Sequence, residues 1–271
     1  MEKNNINWFP GHMARAISEI EKTVKDIDLI IEVIDARATS SSSNEELSRF
    51  NKPILKIALK SDLADLKTVK TNEDILFVNT IDKSLRNKVI NSIEIKLSEK
   101  KQKLISKGLK NPIFYIMVVG LPNVGKSSLI NFLANKNRIV AKNQPGVTRN
   151  QNTVKLSDSL YLQDNPGILF KKIKDLNTGY KLALINTIKK DILPLYDVVK
   201  YGYEFLNQNY QNQLFKYYGF NNEMSFEQFI DFIGNKKMFI SIDNKIDLTR
   251  VVDSLFKDFT DCKVSKINYD R

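Results

Sequence analysis

Two hydrophobic rhythms divide the chain. Up to about residue 174, short and almost continuously apolar runs recur between polar stretches, at residues 28–37 (DLIIEVIDAR), 54–59, 75–78 and 114–119. Such runs predict strands covered on both faces, as in a mainly parallel sheet. Between them, the serine-rich residues 39–44 read as a loop, 45–50 as a short helix and 83–110 as a lysine-rich helix with apolar positions at Leu85, Val89, Ile93 and Leu97. Residues 152–156 and 160–163 read as a hairpin pair. From about Asp175 the period changes to that of helices. Leu176, Tyr180, Ala183, Leu184 and Ile188 predict one helix with Pro194 near its end. Residues 195–210 and 226–233 predict two more, and Leu248, Val251, Val252, Leu255, Phe256 and Phe259 form an amphipathic stripe. The expectation is an α/β domain over residues 1–174, with helices on both faces of its sheet, followed by an all-α domain over 175–271. No internal repeat is visible.

The run at 114–119 leads into Gly120-Leu121-Pro122-Asn123-Val124-Gly125-Lys126-Ser127, then into the helix-like Ser128-Leu129-Ile130-Asn131-Phe132-Leu133. Strand, G-x-x-x-x-G-K-S, helix is the context in which the motif binds phosphate. The glycines let successive N–H groups turn inward, and the helix N-terminus adds partial positive charge. Lys126 would reach the β- and γ-phosphates and Ser127 would hold Mg²⁺, with Asn123, Val124, Gly125 and Ser128 completing the cradle. Downstream, Thr148 is spaced as a switch residue that completes Mg²⁺ coordination while a γ-phosphate is present. Asp164 ends a strand and opens Asp164-Asn165-Pro166-Gly167, so its carboxylate would hold Mg²⁺ through water and Gly167 would offer its N–H to the γ-phosphate.

Guanine is normally selected by N-K-x-D, whose aspartate accepts from both N1–H and the N2 amine. Two stretches compete for that role. Asn244-Lys245-Ile246-Asp247 is a perfect string after the phosphate loop; Leu59-Lys60-Ser61-Asp62 is an imperfect one before it. Context favours the second. Lys60 and Asp62 sit at the C-terminal end of a buried strand, where open α/β sheets place ligand groups. Residues 175–235 supply no strands to bring Asn244 into a sheet, and Asp247 reads simply as the N-cap of the next helix. The motif order is then base reader, phosphate loop, threonine, D-x-x-G: a circularly permuted P-loop GTPase domain.

Composition adds partners and limits. The 271 residues are 42% hydrophobic, enough for a sizeable core, and carry a net charge of +11. That charge suits a polyanion such as RNA, or else a solubilising surface; for the basic 83–110 segment both readings stand. Cys262 is alone, which leaves no disulfide or cysteine metal site within one chain. With no apolar signal core and no stretch of membrane-spanning length, a cytoplasmic, monomeric protein is expected.

The chain resembles the ribosome biogenesis GTPase A family along essentially its whole length. The resemblance is carried by Asn7-Trp8-Phe9-Pro10-Gly11-His12-Met13, Val33-Ile34-Asp35-Ala36-Arg37, the phosphate loop, Pro145-Gly146-Val147-Thr148 and Asp164-Asn165-Pro166-Gly167-Ile168. It implies a GTPase that binds the large ribosomal subunit late in its assembly and leaves after hydrolysis; the net charge adds the expectation that the helical domain reads rRNA. The resemblance also implies roles. Ile168 stands where many GTPases carry a water-orienting glutamine, and His12 is the substitute, set against a packing role beside Trp8. Asn123 matches the position at which related GTPases hold K⁺, set against a loop-capping amide. Two departures stand out. Leu59 replaces the asparagine that bonds the base and braces the phosphate loop; leucine is expected to do neither, a loss of about 1 kcal/mol for one neutral hydrogen bond. It motivates a second reading, an RNA-binding assembly protein whose weakened nucleotide site no longer turns over. Asn79-Thr80-Ile81 is a poor version of the usual further base contact.

Overall fold

The structure, a computed structural model, describes residues 18, 20–70, 74–134, 153–163, 173 and 175–271. Six strands form one sheet: β1 (Leu29–Asp35), β2 (Ile54–Leu59), β3 (Ile75–Val78), β4 (Phe114–Gly120), β5 (Thr153–Lys155) and β6 (Leu160–Gln163), in the order β3-β2-β1-β4-β6-β5. All neighbours are parallel except the edge hairpin β5–β6. Every residue of β1 is buried, Glu32 and Asp35 included, which is why its sequence is mainly apolar without strict alternation. The three strands that precede the phosphate-loop strand in the chain lie on its far side in the sheet, so β1 takes the place beside β4. This is the arrangement the permuted order requires.

The serine-rich segment predicted as a loop is instead a single helical turn, α1 (Thr39–Ser42), followed by a 3₁₀ segment at Glu45–Phe50. Ser42 makes the turn possible: its hydroxyl donates to the Ala38 carbonyl (2.6 Å) and accepts from the Asp35 amide (3.0 Å). The basic helix α2 runs Leu85–Ser106, shorter than its predicted span at both ends. It buries Val89, Ile93 and Leu97 against the sheet. The helix after the phosphate loop is α3 (Lys126–Ala134).

Five helices follow: α4 (Leu176–Leu184), α5 (Leu195–Asn209), α6 (Gln211–Tyr218), α7 (Phe226–Lys236) and α8 (Leu248–Thr260). Pro194 does not end the first of these. It is the N-cap of α5, since its fixed φ suits a helix start. The apolar pattern does not predict α6, because glutamine, asparagine and tyrosine mask its buried positions. Phe226–Lys236 opens with a capping box, Ser225 and Gln228 bonding each other's backbone.

The helical region is packed onto the sheet. One hydrophobic cluster runs from Leu29, Val33, Ile57 and Leu129 through Leu182, Val199 and Leu255 to Tyr269. No helix among the described residues is long and apolar enough to cross a membrane.

Candidate nucleotide-binding site

The phosphate loop leaves β4 at Gly120, where a Cβ would lie 2.3 Å from the Val33 carbonyl oxygen of the neighbouring strand. Only glycine permits that approach. Gly125 has φ +106°, and a Cβ there would sit 2.9 Å from Leu59 Cδ1. Leu59 is therefore packed directly beneath the loop. It cannot offer the hydrogen bond of an asparagine, but it braces the loop by contact. Val124 is fully buried and presents only its backbone to the loop. Asn123 stands at φ +58°, exposed.

Lys126 folds back on its own loop, donating to the carbonyls of Gly120 (3.1 Å) and Leu121 (2.7 Å). Burial lowers its pKa from the ordinary lysine range to about 8. An ammonium this poorly solvated gains when an anion replaces two neutral carbonyls. Ser127 and Ser128 are exposed in the first turn of α3, and neither hydroxyl has a hydrogen-bond partner among the described residues. The Ser127 hydroxyl fits a ligand for a divalent ion held chiefly by phosphate oxygens. No group of three or more His, Cys, Asp or Glu among the described residues could hold a metal by itself.

The stretch expected to read the base, Leu59-Lys60-Ser61-Asp62, lies on the other flank of β1, at the end of β2. Lys60 adopts φ +60° and its carbonyl accepts from the Leu63 amide, making a tight turn that lifts Asp62 into solvent. The Asp62 carboxylate has no hydrogen bond or ion pair among the described residues. Lys60 Nζ spans the site, donating to Asp35 Oδ2 (2.8 Å) and to the Asn123 carbonyl in the phosphate loop (3.0 Å). Asn79 Oδ1 accepts from the Ile81 amide (3.0 Å), so this carboxamide is occupied by its own turn, with half-buried Thr80 beside it.

Behind both loops lies a buried ion pair that sequence reasoning did not single out as part of the site. Asp35, fully buried, accepts from Arg37 Nε (2.9 Å) and Arg37 Nη2 (2.8 Å) as well as from Lys60. Burial alone would raise the Asp35 pKa, but the Arg37 and Lys60 cations outweigh it and hold the carboxyl below its ordinary range. Arg37 also reaches the helical region, donating to the carbonyls of Thr260 (2.8 Å) and Ile185 (3.0 Å). One residue on, the Asn186 carbonyl accepts from Asn123 Nδ2 (3.0 Å). Phosphate loop, Lys60, Asp35, Arg37 and the Ile185–Asn186 turn thus form a closed ring of polar contacts. The one signal in the sequence was a pair of opposite charges, Asp35 and Arg37, at and just beyond the end of a mainly apolar strand.

The base-reading turn is also held by the C-terminal segment. Ala64 and Ile267 form a parallel bridge, with Ile267 N to Leu63 O at 3.0 Å and Asp65 N to Ile267 O at 3.2 Å. Tyr210 Oη donates to Asp65 Oδ2 (3.2 Å) and accepts from the Asn268 amide (3.0 Å). Asp270 accepts from the Ser41 amide and hydroxyl.

The competing string has other work. Asp247 caps α8, its carboxylate accepting from the Arg250 amide (3.1 Å). Asn244 sits at φ +57° in a turn closed by the isolated bridge Ile240–Ile246, outside the six-stranded sheet. Four expected residues, His12, Thr148, Asp164 and Gly167, lie outside the described residues.

The chain is similar to known proteins along its length. A family described as 50S ribosome-binding GTPase matches residues 115–240, starting within the phosphate-loop strand. The chain is 36% identical to a probable ribosome biogenesis GTPase A of Mycoplasma pneumoniae, covering 98% of this chain and 96% of that protein. It is 34% identical to the ribosome biogenesis GTPase A of Bacillus pumilus, covering 98% of each. In fold it is similar to the crystal structure of GNP-bound YlqF from T. maritima, with a TM-score of 0.67 at 20% identity over 95% of this chain and 98% of that one.

Proposed function

The chain belongs to the ribosome biogenesis GTPase A family, and we propose from that premise that this GTPase is an assembly factor of the large ribosomal subunit. It binds the precursor particle and its rRNA with GTP bound and leaves after hydrolysis, acting as a monomer in the cytoplasm. The observation that carries the nucleotide part is the exposed, unpartnered Asp62 carboxylate, tied through Lys60 to the phosphate loop across β1.

Asp62 accepts from N1–H and the amine of guanine, which adenine cannot match. Lys126 moves from its two loop carbonyls to the β- and γ-phosphate oxygens, while the loop amides and the α3 N-terminus neutralise the rest. Ser127, with Thr148 and Asp164, would hold Mg²⁺, which would supply positive charge to the phosphates. Gly167 binds the γ-phosphate and His12 aligns the attacking water. The Asn123 amide oxygen, on an exposed residue and without a partner among the described residues, is the group that would hold K⁺.

Charge distribution sharpens the partner surface. Residues 175–271 carry thirteen Lys and Arg against thirteen Asp and Glu, so the whole excess of +11 lies in residues 1–174. On and just beyond α2, Lys88, Lys101, Lys103, Lys107 and Lys110 are exposed and make no ion pair among the described residues. They are the phosphate-contacting face, and the charge-balanced helical region reads rRNA by shape and apolar contact.

Single-turnover hydrolysis with and without precursor large-subunit particles tests the reading. Stimulation by the particle, and binding that is tighter with a GTP analogue than with GDP, are expected. Binding indifferent to the nucleotide overturns the switch. Replacing Lys101, Lys103 and Lys107 by Gln should weaken particle binding and flatten its salt dependence, by a slope of about 0.7 to 0.9 for each rRNA phosphate that is no longer neutralised.

A further inference from the structure

We propose that Asn186, the residue that follows α4, is a positioning residue for a monovalent cation at the phosphate loop. The inference rests on the GTPase reading above and on K⁺ binding by Asn123, and it adds what fixes that ligand.

Donor and acceptor chemistry fixes which way the Asn123 amide faces. The Asn186 carbonyl lies 3.0 Å from the terminal nitrogen of the Asn123 side chain. A carbonyl only accepts, so the end of the Asn123 amide that faces it must be the NH₂. The amide oxygen is thereby turned the other way. It has no protein partner among the described residues, and Asn123 is exposed. An amide oxygen held beside bound phosphates is repelled by their oxygens unless a cation lies between the two. Orienting a ligand through the atom it does not use for the metal is how a second layer of hydrogen bonds acts at metal sites.

The backbone on both sides of this contact is constrained. Asn123 is at φ +58° and Asn186 at φ +61°, conformations open to asparagine and glycine and strained for β-branched residues. The Asn186 carbonyl is further set by its neighbours: the Asn186 amide donates to Ala183 O (2.9 Å), the Thr187 amide to Leu182 O (2.8 Å), and Arg37 holds the Ile185 carbonyl (3.0 Å). Lys60 fixes the Asn123 backbone from the opposite side. The Asn186 side chain itself is exposed, so changing it alters the carbonyl's direction without opening the core. The helical region therefore contributes this main-chain oxygen directly to the phosphate loop, and a displaced α4 weakens the cation.

The test is the affinity of the full chain for a fluorescent GTP analogue, titrated in K⁺ and in Na⁺, alongside hydrolysis under the same conditions. The wild type is expected to bind more tightly in K⁺. Asn186→Val should raise the K⁺ concentration needed for half of that effect by about tenfold, the lower end for removing a metal-orienting partner, and leave affinity in Na⁺ unchanged. Asn186→Gly keeps the positive φ and should behave as wild type. In an Asn123→Ala background, which removes the ligand, Asn186→Val should have no further effect. Circular dichroism melts establish that each variant is folded. If Asn186→Val keeps the wild-type K⁺ response, or loses affinity equally in both salts, the positioning role is overturned. If the wild type hydrolyses GTP with no preference between the salts, the cation and its positioning residue fall while the GTPase reading stands. If it neither binds nor hydrolyses guanine nucleotide, that reading falls first.

Discussion

The phosphate loop and the turn at Lys60–Asp62, proposed to read the base, flank the same buried strand, yet they are built in opposite ways. The phosphate loop is local: strand, loop and helix are contiguous over residues 114–134, and its shape follows from Gly120 and Gly125. The base-reading turn is assembled from distant chain. Asp62 is presented by a turn pinned by Ile267, Asn268 and Tyr210, two hundred residues away in the case of the Asn268–Thr68 contact. A local element tolerates change elsewhere in the molecule; an assembled one inherits the stability of everything that holds it. The buried Asp35–Arg37 pair joins the two. Buried ion pairs of this kind add little net stability over an apolar replacement but leave a costly charge behind when one partner is removed.

The contrast can be broken from either end. The largest effect is expected from Lys126→Ala, which removes the charge that meets the phosphates. Hydrolysis should fall by about 10²–10³-fold, measured under single turnover, whatever base the nucleotide carries. Next comes Asp62→Asn, which should cost about a hundredfold in guanine nucleotide affinity, from two charge-assisted hydrogen bonds, and move preference toward xanthine nucleotide. Asp247→Asn should leave base preference unchanged; a switch there instead would restore the conventional motif order.

A smaller effect is expected from pH. Lys126 has its pKa lowered to about 8 in the free protein, and bound phosphate raises it again. Nucleotide binding above pH 8 therefore takes up a proton, and affinity should drop about tenfold between pH 7 and pH 9. Lys126→Arg should flatten that profile. The free protein should gain stability over the window from about 8 toward the ordinary lysine value, because there the unfolded chain binds the proton that the folded one has lost. The smallest effect separates the two elements most sharply. Tyr210→Phe deletes the hydroxyl between Asp65 and Asn268. It should lower guanine nucleotide affinity several-fold, about 1 kcal/mol, while leaving the affinity for pyrophosphate alone as it was. An equal loss for both ligands would mean that the two loops are one mechanical unit.

Much of the molecule is legible in one dimension because it is periodic or contiguous. The strands β1 to β4 declare themselves by nearly continuous apolar runs, α8 by its stripe, and the phosphate loop by eight adjacent residues. The short turn at Thr39–Ser42 reads as a loop because its serines bond backbone groups within the same turn, which gives it loop composition. Helix α6 escapes the pattern because tyrosine and glutamine blur its apolar face.

By itself the sequence determined a permuted order of GTPase motifs, a covered parallel sheet and a basic first half, since each depends on residue type and spacing alone. Only the tertiary structure showed that Asp247 of one candidate string caps α8, while the Asp62 carboxylate of the other stands exposed at a sheet end. It alone also brought Asn186 to Asn123, Arg37 to Ile185 and Ile267 to Ala64. Those contacts depend on where unrelated backbone carbonyls and amides come to rest, and a backbone group leaves no mark on the identity of the residue that carries it.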